Sequence, residues 1–318
     1  MTDPLVSILI PCYRQGRFLA DAIRSALDQV GVSVEVIVIN DGSDDDTETV
    51  AMRFGDRIRY CRQPNQGLPA ARNRGLAMAR GRYVLCLDAD DMLDPRAAGW
   101  LVAAAAGRED VLCVMGHAHF DEHRPVGAPG RPAWLPPREP LEARLLTANF
   151  GPPHGYLCSR AMLLAGGGFD PTLRSCEDWD AWVNLIFAGA TVVPVHEIGA
   201  HYRQHPHSMS RNPVEMSRAR AEVLRRTLRR LRRGRLGGTG LPARSLRAAL
   251  RGRLAAESVD EAYWLRERGE YGAALVCYLR GLRGGGATAL VGACKLGPHG
   301  LRRVWRRWGA RADMATTP

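Results

Sequence analysis

Three carboxylates stand close together after an apolar run in this sequence. Asp88, Asp90 and Asp91 follow residues 83–87, which have the length and residue types of a buried strand. Ionised carboxylates at this spacing repel each other, and leaving them unpaired beside a buried strand is costly. A divalent cation such as Mg²⁺ or Mn²⁺ removes that cost, because carboxylate oxygens are the ligands that these ions prefer. The other interpretation is a solvated acidic turn in which Asp91 or Asp94 caps the next helix.

A second acidic cluster lies in the segment 175–180 and contains Glu177, Asp178 and Asp180. Acidic side chains are favoured in the first turn of a helix, where they interact with the positive end of its dipole. The cluster therefore predicts the start of a helix that continues through residues 182–188. Plain capping of that helix accounts for the cluster without any chemistry.

The glycine-rich segments do not resemble phosphate-binding loops. Gly166, Gly167 and Gly168 follow a helix-like run, residues 161–165, and no Walker lysine accompanies them. No GxGxxG motif follows the first predicted strand either. The sequence therefore supports neither a P-loop protein nor a dinucleotide-dependent dehydrogenase.

The first part of the chain alternates between short apolar runs and amphipathic segments. This alternation predicts an α/β fold with a mainly parallel central sheet and helices on both faces. Ligands of such sheets bind beyond the carboxyl ends of the strands, so we expect the residues after Pro11, Asn40 and Leu87 to share one crevice. The predicted strands are 6–10, 34–39, 58–61 and 83–87, and the predicted helices are 18–29, 44–54 and 70–79.

The segment from residue 97 onward continues the pattern less regularly. Its Pro-rich part, residues 124–140, is predicted to be an irregular excursion at the rim of the site. The elements predicted here are an Ala-rich helix at 97–106 and strands at 111–115, 156–159 and 191–195.

The formal net charge of +11 is concentrated in the last third of the chain, where residues 211–253 hold fourteen arginines and two glutamates. In the predicted helix 218–233, Leu224, Leu228 and Leu231 recur on one side. This pattern has the character of an interfacial helix that lies on an anionic membrane surface. Nucleic acid is disfavoured as a partner, because no RNA-binding aromatic motif accompanies the arginines.

The change in composition predicts two regions, a domain over residues 1–211 and a basic helical C-terminal region over 212–318. Within the second region, residues 261–282 predict two short helices around Gly269. A further basic helix is predicted around Trp305.

The cysteines bear on the compartment. Eight of them are scattered without a CxxC pair, and several lie in apolar runs, which is typical of buried free thiols in a reducing compartment. The N-terminus shows no signal segment in which apolar residues follow charged ones. No apolar stretch has the length of about 18 residues that a membrane span requires. We expect a cytoplasmic protein, peripheral at the inner face of the cell membrane where the basic helix binds lipid.

Three segments in fixed order resemble the inverting family 2 glycosyltransferases of the GT-A fold. They are VSILIPCYRQGRFLADAIRSAL, VIVINDGSDDDT and NQGLPAARNRGLAMARGRYVLCLDADD, and the later motifs EDWDAW and HYRQH strengthen the match. The resemblance covers roughly residues 5–211. It implies the GT-A fold, a nucleotide-diphosphate sugar as the donor and a divalent metal, Mn²⁺ or Mg²⁺, as the cofactor.

The resemblance also implies roles at the strand ends. Asp41 would accept the imide hydrogen of a pyrimidine base, with uracil as the default, and Pro11 and Tyr13 would form walls of the base pocket. Asp88 would bind the ribose or share the metal. Asp90 would ligate the cation whose charge offsets that of the diphosphate.

Three of the implied roles have specific alternatives. Arg72 would orient the carboxylates or a phosphate, but an ordinary ion pair on the helix surface is the alternative. Tyr13 is either a base-stacking or a packing residue. His205 would complete the metal shell or contact the diphosphate, with His201 and His207 as nearby competitors.

An inverting transfer needs a carboxylate that takes the proton from the acceptor hydroxyl as its oxygen attacks the anomeric carbon. Asp178 is the predicted base, and Glu177 would orient it or contact the acceptor. Asp180 fits a role as base or as cap. The helix N-terminus is expected to favour the ionised form that a base requires.

The expected function is therefore transfer of a sugar from a nucleotide-diphosphate sugar to a hydroxyl of a glycan or lipid-linked acceptor, with inversion and metal assistance. Two alternatives stay open at this point. One is a non-catalytic protein that binds nucleotide sugars or glycans with the same fold. The other is a nucleotidyltransferase, which would release pyrophosphate instead of a nucleoside diphosphate.

Overall fold

The structure is a computed structural model that describes residues 4–121, 124–125, 140–206, 208–234 and 242–285. The chain divides into two compact units, one formed by Met1–Arg211 with Arg230–Leu241 and the other by Asn212–Arg229 with Pro242–Pro318. Most of the predicted rim segment and the predicted helix at Trp305 lie outside the described residues. The functional division at residue 211 stays a prediction.

A single sheet organises the first unit, and its strands are β1 Val6–Cys12, β2 Val34–Asn40, β3 Arg59–Arg62, β4 Tyr83–Cys86, β5 Met92–Leu93, β6 Val111–Asp121, β7 Arg124–Pro125, β8 Tyr156–Ser159 and β9 Thr191–Arg203. Their order is β3-β2-β1-β4-β8-β6-β9-β5, with β7 paired to β6. Only β8 separates β4 from β6, and it runs antiparallel to both. Strands β1, β2, β3, β4, β6 and β9 therefore run in one direction, which confirms the predicted mainly parallel sheet.

The helices of the described residues are α1 Gly16–Leu27, α2 Thr47–Met52, α3 Leu68–Met78, α4 Ala97–Ala105, α5 Leu141–Thr147, α6 Arg160–Ala165, α7 Glu177–Phe187, α8 Pro213–Arg232, α9 Ala243–Glu267 and α10 Tyr271–Gly285.

Helices cover both faces of β1, and this explains its unbroken apolar sequence. All seven of its residues are buried. Ile8 lies in one core cluster with Leu19 and Ile23 of α1. Leu9 points to the other face, where α3 approaches so closely that a Cβ on Gly75 would lie 3.4 Å from it. Buried strands of parallel sheets read as continuous apolar runs for this reason.

Three predicted strands are too short. β1 continues through Pro11 to Cys12, because beyond Leu9 it pairs only with β2 and the missing proline N–H interrupts no ladder with β4. β6 and β9 continue to Asp121 and Arg203, since their polar second halves pair with each other after a bulge. The apolar runs at 111–115 and 191–195 predicted only the first halves of β6 and β9.

The described part of the second unit consists of most of α8 together with α9 and α10. Val214 packs with Ala262, Leu265, Ala274 and Cys277 in a small core. The prediction of two short helices at 261–282 is wrong in length, because α9 has 25 residues and begins at Ala243. The turn between α9 and α10 contains Gly269, with φ of +82°, as that prediction requires.

The predicted lipid-facing leucines are buried. Leu224, Leu228 and Leu231 are 0%, 9% and 2% exposed, so they do not form an apolar surface for a membrane. Within the described ranges, no helix combines the length and the apolar character that a membrane crossing needs. All seven cysteines of the described residues are free thiols, and five of them are buried; the reducing compartment stays a prediction.

Candidate active site

The carboxyl ends of β1, β2 and β4 lie side by side. The pairing of β1 with β2 ends at Cys12 and Asn40, and the amide of Asp41 then donates to the Cys12 carbonyl at 2.9 Å. On the other side of β1, the amide of Leu87 donates to the Leu9 carbonyl at 2.8 Å. Tyr13, Asp41 and Asp88 therefore leave neighbouring strands at the same edge of the sheet, as predicted.

Asp41 holds the loop that precedes α3. Its Oδ1 accepts from Gln63 Nε2 at 2.7 Å and from the Gln66 amide at 3.0 Å, and its Oδ2 accepts from the Gly67 amide at 2.8 Å. The side chain is 3% exposed. Three donors leave one of the about four acceptor positions of a carboxylate for a further partner. Base recognition by Asp41 stays a prediction, but support of this loop is a role that sequence reasoning missed.

We expect Asp41→Asn to lower the free energy of unfolding by about 1–3 kcal/mol, because the amide nitrogen would replace an acceptor with a donor that faces backbone N–H groups. Urea unfolding measures the loss. Asp44→Asn is the matched control, since the Asp44 side chain is 67% exposed in its pair with Arg14 and its replacement should change the free energy of unfolding far less. Equal effects of the two substitutions would contradict the assignment.

Pro11 and Tyr13 differ in exposure. Pro11 is buried at the end of β1, whereas Tyr13 is 42% exposed, with the guanidinium carbon of Arg14 5.2 Å from its ring centroid. The packing alternative for Tyr13 is therefore not supported. An exposed ring at a strand end is available to stack on a planar ligand.

Arg72 connects the two acidic clusters. Its guanidinium is fully buried, Nη2 donates to Asp88 Oδ1 at 2.6 Å, and Nη1 donates to Glu177 Oε1. Burial lowers the pKa of Arg72, but the charges of Asp88 and Glu177 outweigh that effect and the pKa is raised. The alternative of an ordinary helix-surface pair is excluded. Arg72 therefore brings an acid that follows β4 together with an acid at the start of α7.

Glu177 and Asp178 begin α7 and are 2% and 8% exposed. Burial raises the pKa of Glu177 to about 7, against the lowering influence of Arg72. Burial likewise raises the pKa of Asp178, although Arg72 and a hydrogen bond from Asn149 Nδ2 to Asp178 Oδ2 at 3.3 Å oppose it. The helix N-terminus favours the ionised form of Asp178 as expected, since the backbone amides of Asp178 and Trp179 lower its pKa, but desolvation is the larger effect.

Asp180 faces a different partner. Its two oxygens accept from Arg230 Nη1 at 2.9 Å and Nη2 at 3.2 Å in a two-point pair, and the side chain is 1% exposed. This geometry is typical of a structural Arg–carboxylate pair. Of the roles left open for Asp180, the structure supports neither base nor plain cap.

Asp90 contacts His205, and the role of this histidine at a metal or a diphosphate stays a prediction. Asp90 Oδ2 lies 2.8 Å from His205 Nε2 and accepts from Gln15 Nε2 at 3.3 Å. His205 is held by the ring of Phe18, with centroids 5.0 Å apart. Its competitor His201 lies opposite Met92 in the pairing of β9 with β5, and His207 lies outside the described residues.

Asp91 points away from the site. Its Oδ1 accepts from the Arg203 amide at 2.7 Å, and its Oδ2 lies 3.3 Å from His154 Nδ1. Burial raises the pKa of Asp91 well above its usual range, and burial lowers the pKa of His154 to about 3. The capping alternative is wrong for both residues, because the N-cap of α4 is Arg96 and no side chain caps it; Asp94 Oδ1 accepts from the Arg96 amide at 2.9 Å in the turn before the helix.

Arg203, a residue that sequence reasoning passed over, anchors the acidic turn. Its backbone amide donates a hydrogen bond to Asp91, and its Nε donates to the Asp90 carbonyl at 2.7 Å. The guanidinium carbon lies 4.8 Å from the Phe18 ring centroid and 4.5 Å from that of Phe120. The position of Asp90 is thus fixed from β9. The motif HYRQH contains Arg203, but nothing in its spacing distinguishes this role.

The donor chemistry at Asp90 and His205 fits a divalent cation. A carboxylate oxygen and an imidazole nitrogen 2.8 Å apart are ligands that Mn²⁺ accepts. In the part of the chain that the structure describes, no three His, Cys, Asp or Glu side chains converge closely enough to bind an ion by themselves. Sites that use one or two carboxylates and complete the shell with substrate phosphates and water are common for such ions.

The sequence model of the family Glycosyl transferase family 2 matches residues 7–163. An uncharacterized glycosyltransferase of Rickettsia prowazekii is 31% identical over 207 residues, which cover 64% of this chain and 65% of that protein. A chondroitin synthase of Pasteurella multocida is 41% identical over 197 residues, 58% of this chain and 19% of that protein. The chain thus spans less than two thirds of the length of these relatives.

Two solved structures share the fold. The S. aureus protein TarS, residues 1–349 in complex with UDP-GlcNAc, aligns with a TM-score of 0.61 and 17% identity over 85% of this chain and 79% of that one. The mannosyltransferase PcManGT of Pyrobaculum calidifontis, in complex with GDP-Man and Mn²⁺, aligns with a TM-score of 0.63 and 14% identity over 97% of this chain and 84% of that one. This likeness confirms the predicted GT-A fold.

Proposed function

Because this chain belongs to glycosyltransferase family 2, we propose that it transfers a sugar from a nucleotide-diphosphate sugar to a hydroxyl group with inversion at the anomeric carbon. The observation that carries this proposal is the double contact of Arg72 with Asp88 and Glu177. It brings the acids after β4, where a donor would bind, beside the acid that would deprotonate an acceptor.

In the proposed reaction Asp178 is the base. Its carboxylate takes the proton of the acceptor hydroxyl while that oxygen forms a bond to the anomeric carbon. The bond from that carbon to the diphosphate breaks with its electron pair on the leaving oxygen, and a nucleoside diphosphate departs. The raised pKa of Asp178 makes it a stronger base than an exposed aspartate.

Arg72 and Glu177 would keep this base in place. Arg72 remains charged between Asp88 and Glu177, so Glu177 is held at the start of α7 directly before Asp178. Arg72, Glu177 and Asp178 are buried, so water is largely excluded from them and the electrostatic interactions among them are strong. Glu177 would therefore orient the base or contact the acceptor.

The donor would lie along the strand ends. Tyr13 and Pro11 would border the base, uracil by default, and Asp41 would accept its imide hydrogen. Asp90 and His205 would hold the divalent cation, Mn²⁺ or Mg²⁺, with Asp88 sharing it or binding the ribose and with phosphate oxygens or water in the other positions; the ion when bound neutralises the charge of the diphosphate. Asp88 also remains available to a ribose hydroxyl, since its side chain is 25% exposed beside Arg72.

A thermal-shift screen of UDP-, GDP- and dTDP-sugars with and without Mn²⁺ tests the donor proposal. A donor that binds the native state raises the melting temperature more the further its concentration exceeds its Kd, and the best donor should do so only with the ion. The released product is then identified. A nucleoside diphosphate supports the proposal, pyrophosphate would indicate a nucleotidyltransferase, and binding without turnover of any donor would indicate a non-catalytic binding protein.

The pH dependence of turnover should report the buried base. Only ionised Asp178 accepts a proton, so kcat/KM should rise with pH through a pKa above the usual ~4 of aspartate and fall away below it. In Asn149→Ala the acidic limb of the kcat/KM profile should move to higher pH, because a hydrogen bond to ionised Asp178 is lost. Asn184→Ala, which removes a 3.4 Å contact to Asp180, is the matched control and should leave the limb in place.

We propose a glycan or a lipid-linked glycan as the acceptor, at the inner face of the cell membrane. The likeness to a chondroitin synthase supports a glycan. The membrane contact would depend on arginine charge, because the leucines of α8 are buried. Each arginine near an anionic surface contributes about 1 kcal/mol.

The membrane contact predicts sedimentation with phosphatidylserine-containing vesicles and release at high salt. Replacing the exposed Arg232 and Arg233 by glutamine should weaken binding. The same change at the exposed Arg53 and Arg57 alters the net charge equally and should have a smaller effect. Equal binding to uncharged phosphatidylcholine vesicles would contradict the proposal.

A further inference from the structure

A row of three aromatic side chains lies on the second halves of β6 and β9. The rings of His117 and His119 contact each other edge to face with centroids 5.3 Å apart, and His119 contacts Tyr202 in the same way at 5.3 Å. Gln204 Nε2 lies 3.2 Å from His119 Nδ1. All three rings are half-buried, so the row is supported from beneath and retains an accessible side.

The first ring of the row, that of His117, lies close to a short segment that also contacts the proposed base. A Cβ on Gly151 would lie 2.8 Å from His117 Nδ1, so the backbone approaches this ring as closely as only glycine permits. Two residues earlier, Asn149 donates to Asp178. Asn149 is itself fixed, because its Oδ1 accepts from the Tyr156 hydroxyl at 2.9 Å. The short segment 149–151 thus connects the ring row to the base.

The pairing of the strands puts the rings on one face. His119 lies opposite Tyr202 in the parallel register of β6 and β9, and His117 is two residues before His119 on the same strand. Residues two apart on a strand point to the same face of a sheet. The neighbouring residue Phe120 points to the opposite face, where it packs on Arg203. The row therefore lies on one face of the sheet near the carboxyl ends of β6 and β9. Arg203, which anchors the acidic turn, lies on the other face.

The chemistry of these rings suits an uncharged sugar. Imidazole and phenol rings offer apolar faces together with N–H and O–H groups, and sites for small ligands combine aromatic walls with a few polar groups. A pyranose ring presents both an apolar C–H face and hydroxyls. Burial lowers the pKa of His117, and His119 adds to this effect. A neutral imidazole favours hydroxyl groups over carboxylate or phosphate groups.

We propose that His117, His119 and Tyr202 form the acceptor subsite and bind an uncharged pyranose ring of a glycan, so that one of its hydroxyls faces Asp178. The inference rests on the proposed function and names the substrate class of that site. The row would act through binding, and the proton transfer would remain with Asp178.

Ligand-observed saturation-transfer NMR on the full chain tests this subsite. The probes are neutral oligosaccharides of glucose, galactose, mannose and N-acetylglucosamine at millimolar concentration. At least one should bind, and His119→Ala and Tyr202→Ala should each raise its Kd tenfold or more. His119→Phe and Tyr202→Phe keep the rings and should lose less. His196→Ala, an exposed histidine on β9, is the matched control and should bind as the native protein does.

Two results would overturn the inference. One is that no oligosaccharide binds, and the other is that both alanine variants, with native melting temperatures, bind as tightly as the native chain. Screening with nucleotide-sugar donors distinguishes failure of the acceptor subsite from failure of the proposed transferase function. Absence of turnover with every nucleotide sugar counts against the transferase, whereas donor turnover together with unchanged oligosaccharide binding in the alanine variants counts against the subsite alone.

Discussion

Asp178→Asn is expected to lower the rate of nucleoside diphosphate release about 10²–10⁴-fold, because a positioned base contributes a factor of this size to proton transfer. Asparagine has nearly the shape of aspartate but cannot accept the proton. Its side chain would still meet Asn149, and the donor site at the ends of β1, β2 and β4 would be unchanged. The melting-temperature increase caused by the best nucleotide sugar should therefore persist.

Asp180→Asn provides the comparison within the same helix. Asp180 is as buried as Asp178, but its partner is Arg230. The substitution should lower the melting temperature through loss of this pair and change kcat of the folded protein less than about threefold, since removal of one member of a buried pair acts on stability. If Asp178→Asn and Asp180→Asn lowered kcat equally, the assignment of the base to Asp178 would be wrong.

The sheet and its ligand-bearing edge were predictable because each depends on local pattern. Continuous apolar runs identified β1, β2 and β4, and the polar residues that follow them had to emerge at one edge of a parallel sheet. The polar halves of β6 and β9 had no such pattern. They are strands because they pair with each other, with shorter pairings to β7 and β5, and the pairing of β6 with β9 joins residues about eighty positions apart.

Within the site, sequence identified the acids but not their partners. Asp90 and Asp91 are adjacent and chemically identical, yet one faces His205 and the other is buried against Arg203 and His154. Which of them faces the site depends on β9. Gln15 and Asn149 were missed for the same reason, because a single amide side chain in a loop carries no pattern until the fold brings a carboxylate to it.

The contact of Arg72 with Asp88 and Glu177 leads to the second large effect. Arg72→Met keeps much of the volume of the side chain but removes the charge, and it leaves two buried carboxylates without their shared cation. Breaking a buried pair by removing one partner costs about 3–5 kcal/mol. We expect a loss of this size in the free energy of unfolding at pH 8, together with loss of transferase activity. Arg59→Met, at the partly exposed pair with Glu35, is the control and should cost less.

The loss in Arg72→Met should depend on pH in a defined direction. In the native protein burial already raises the pKa of Glu177 to about 7, while the charge of Arg72 lowers it. Without Arg72 the pKa rises further, so the folded variant binds a proton that the unfolded chain releases above its ordinary glutamate value. The folded state is then favoured by protons, and the variant should lose stability as pH rises from about 5 to 8. Urea unfolding of both proteins at pH 5 and pH 8 measures the difference, which should be larger at pH 8. A difference that is independent of pH would show that Arg72 acts by packing, and the buried cation would then not be what holds the two acidic clusters together.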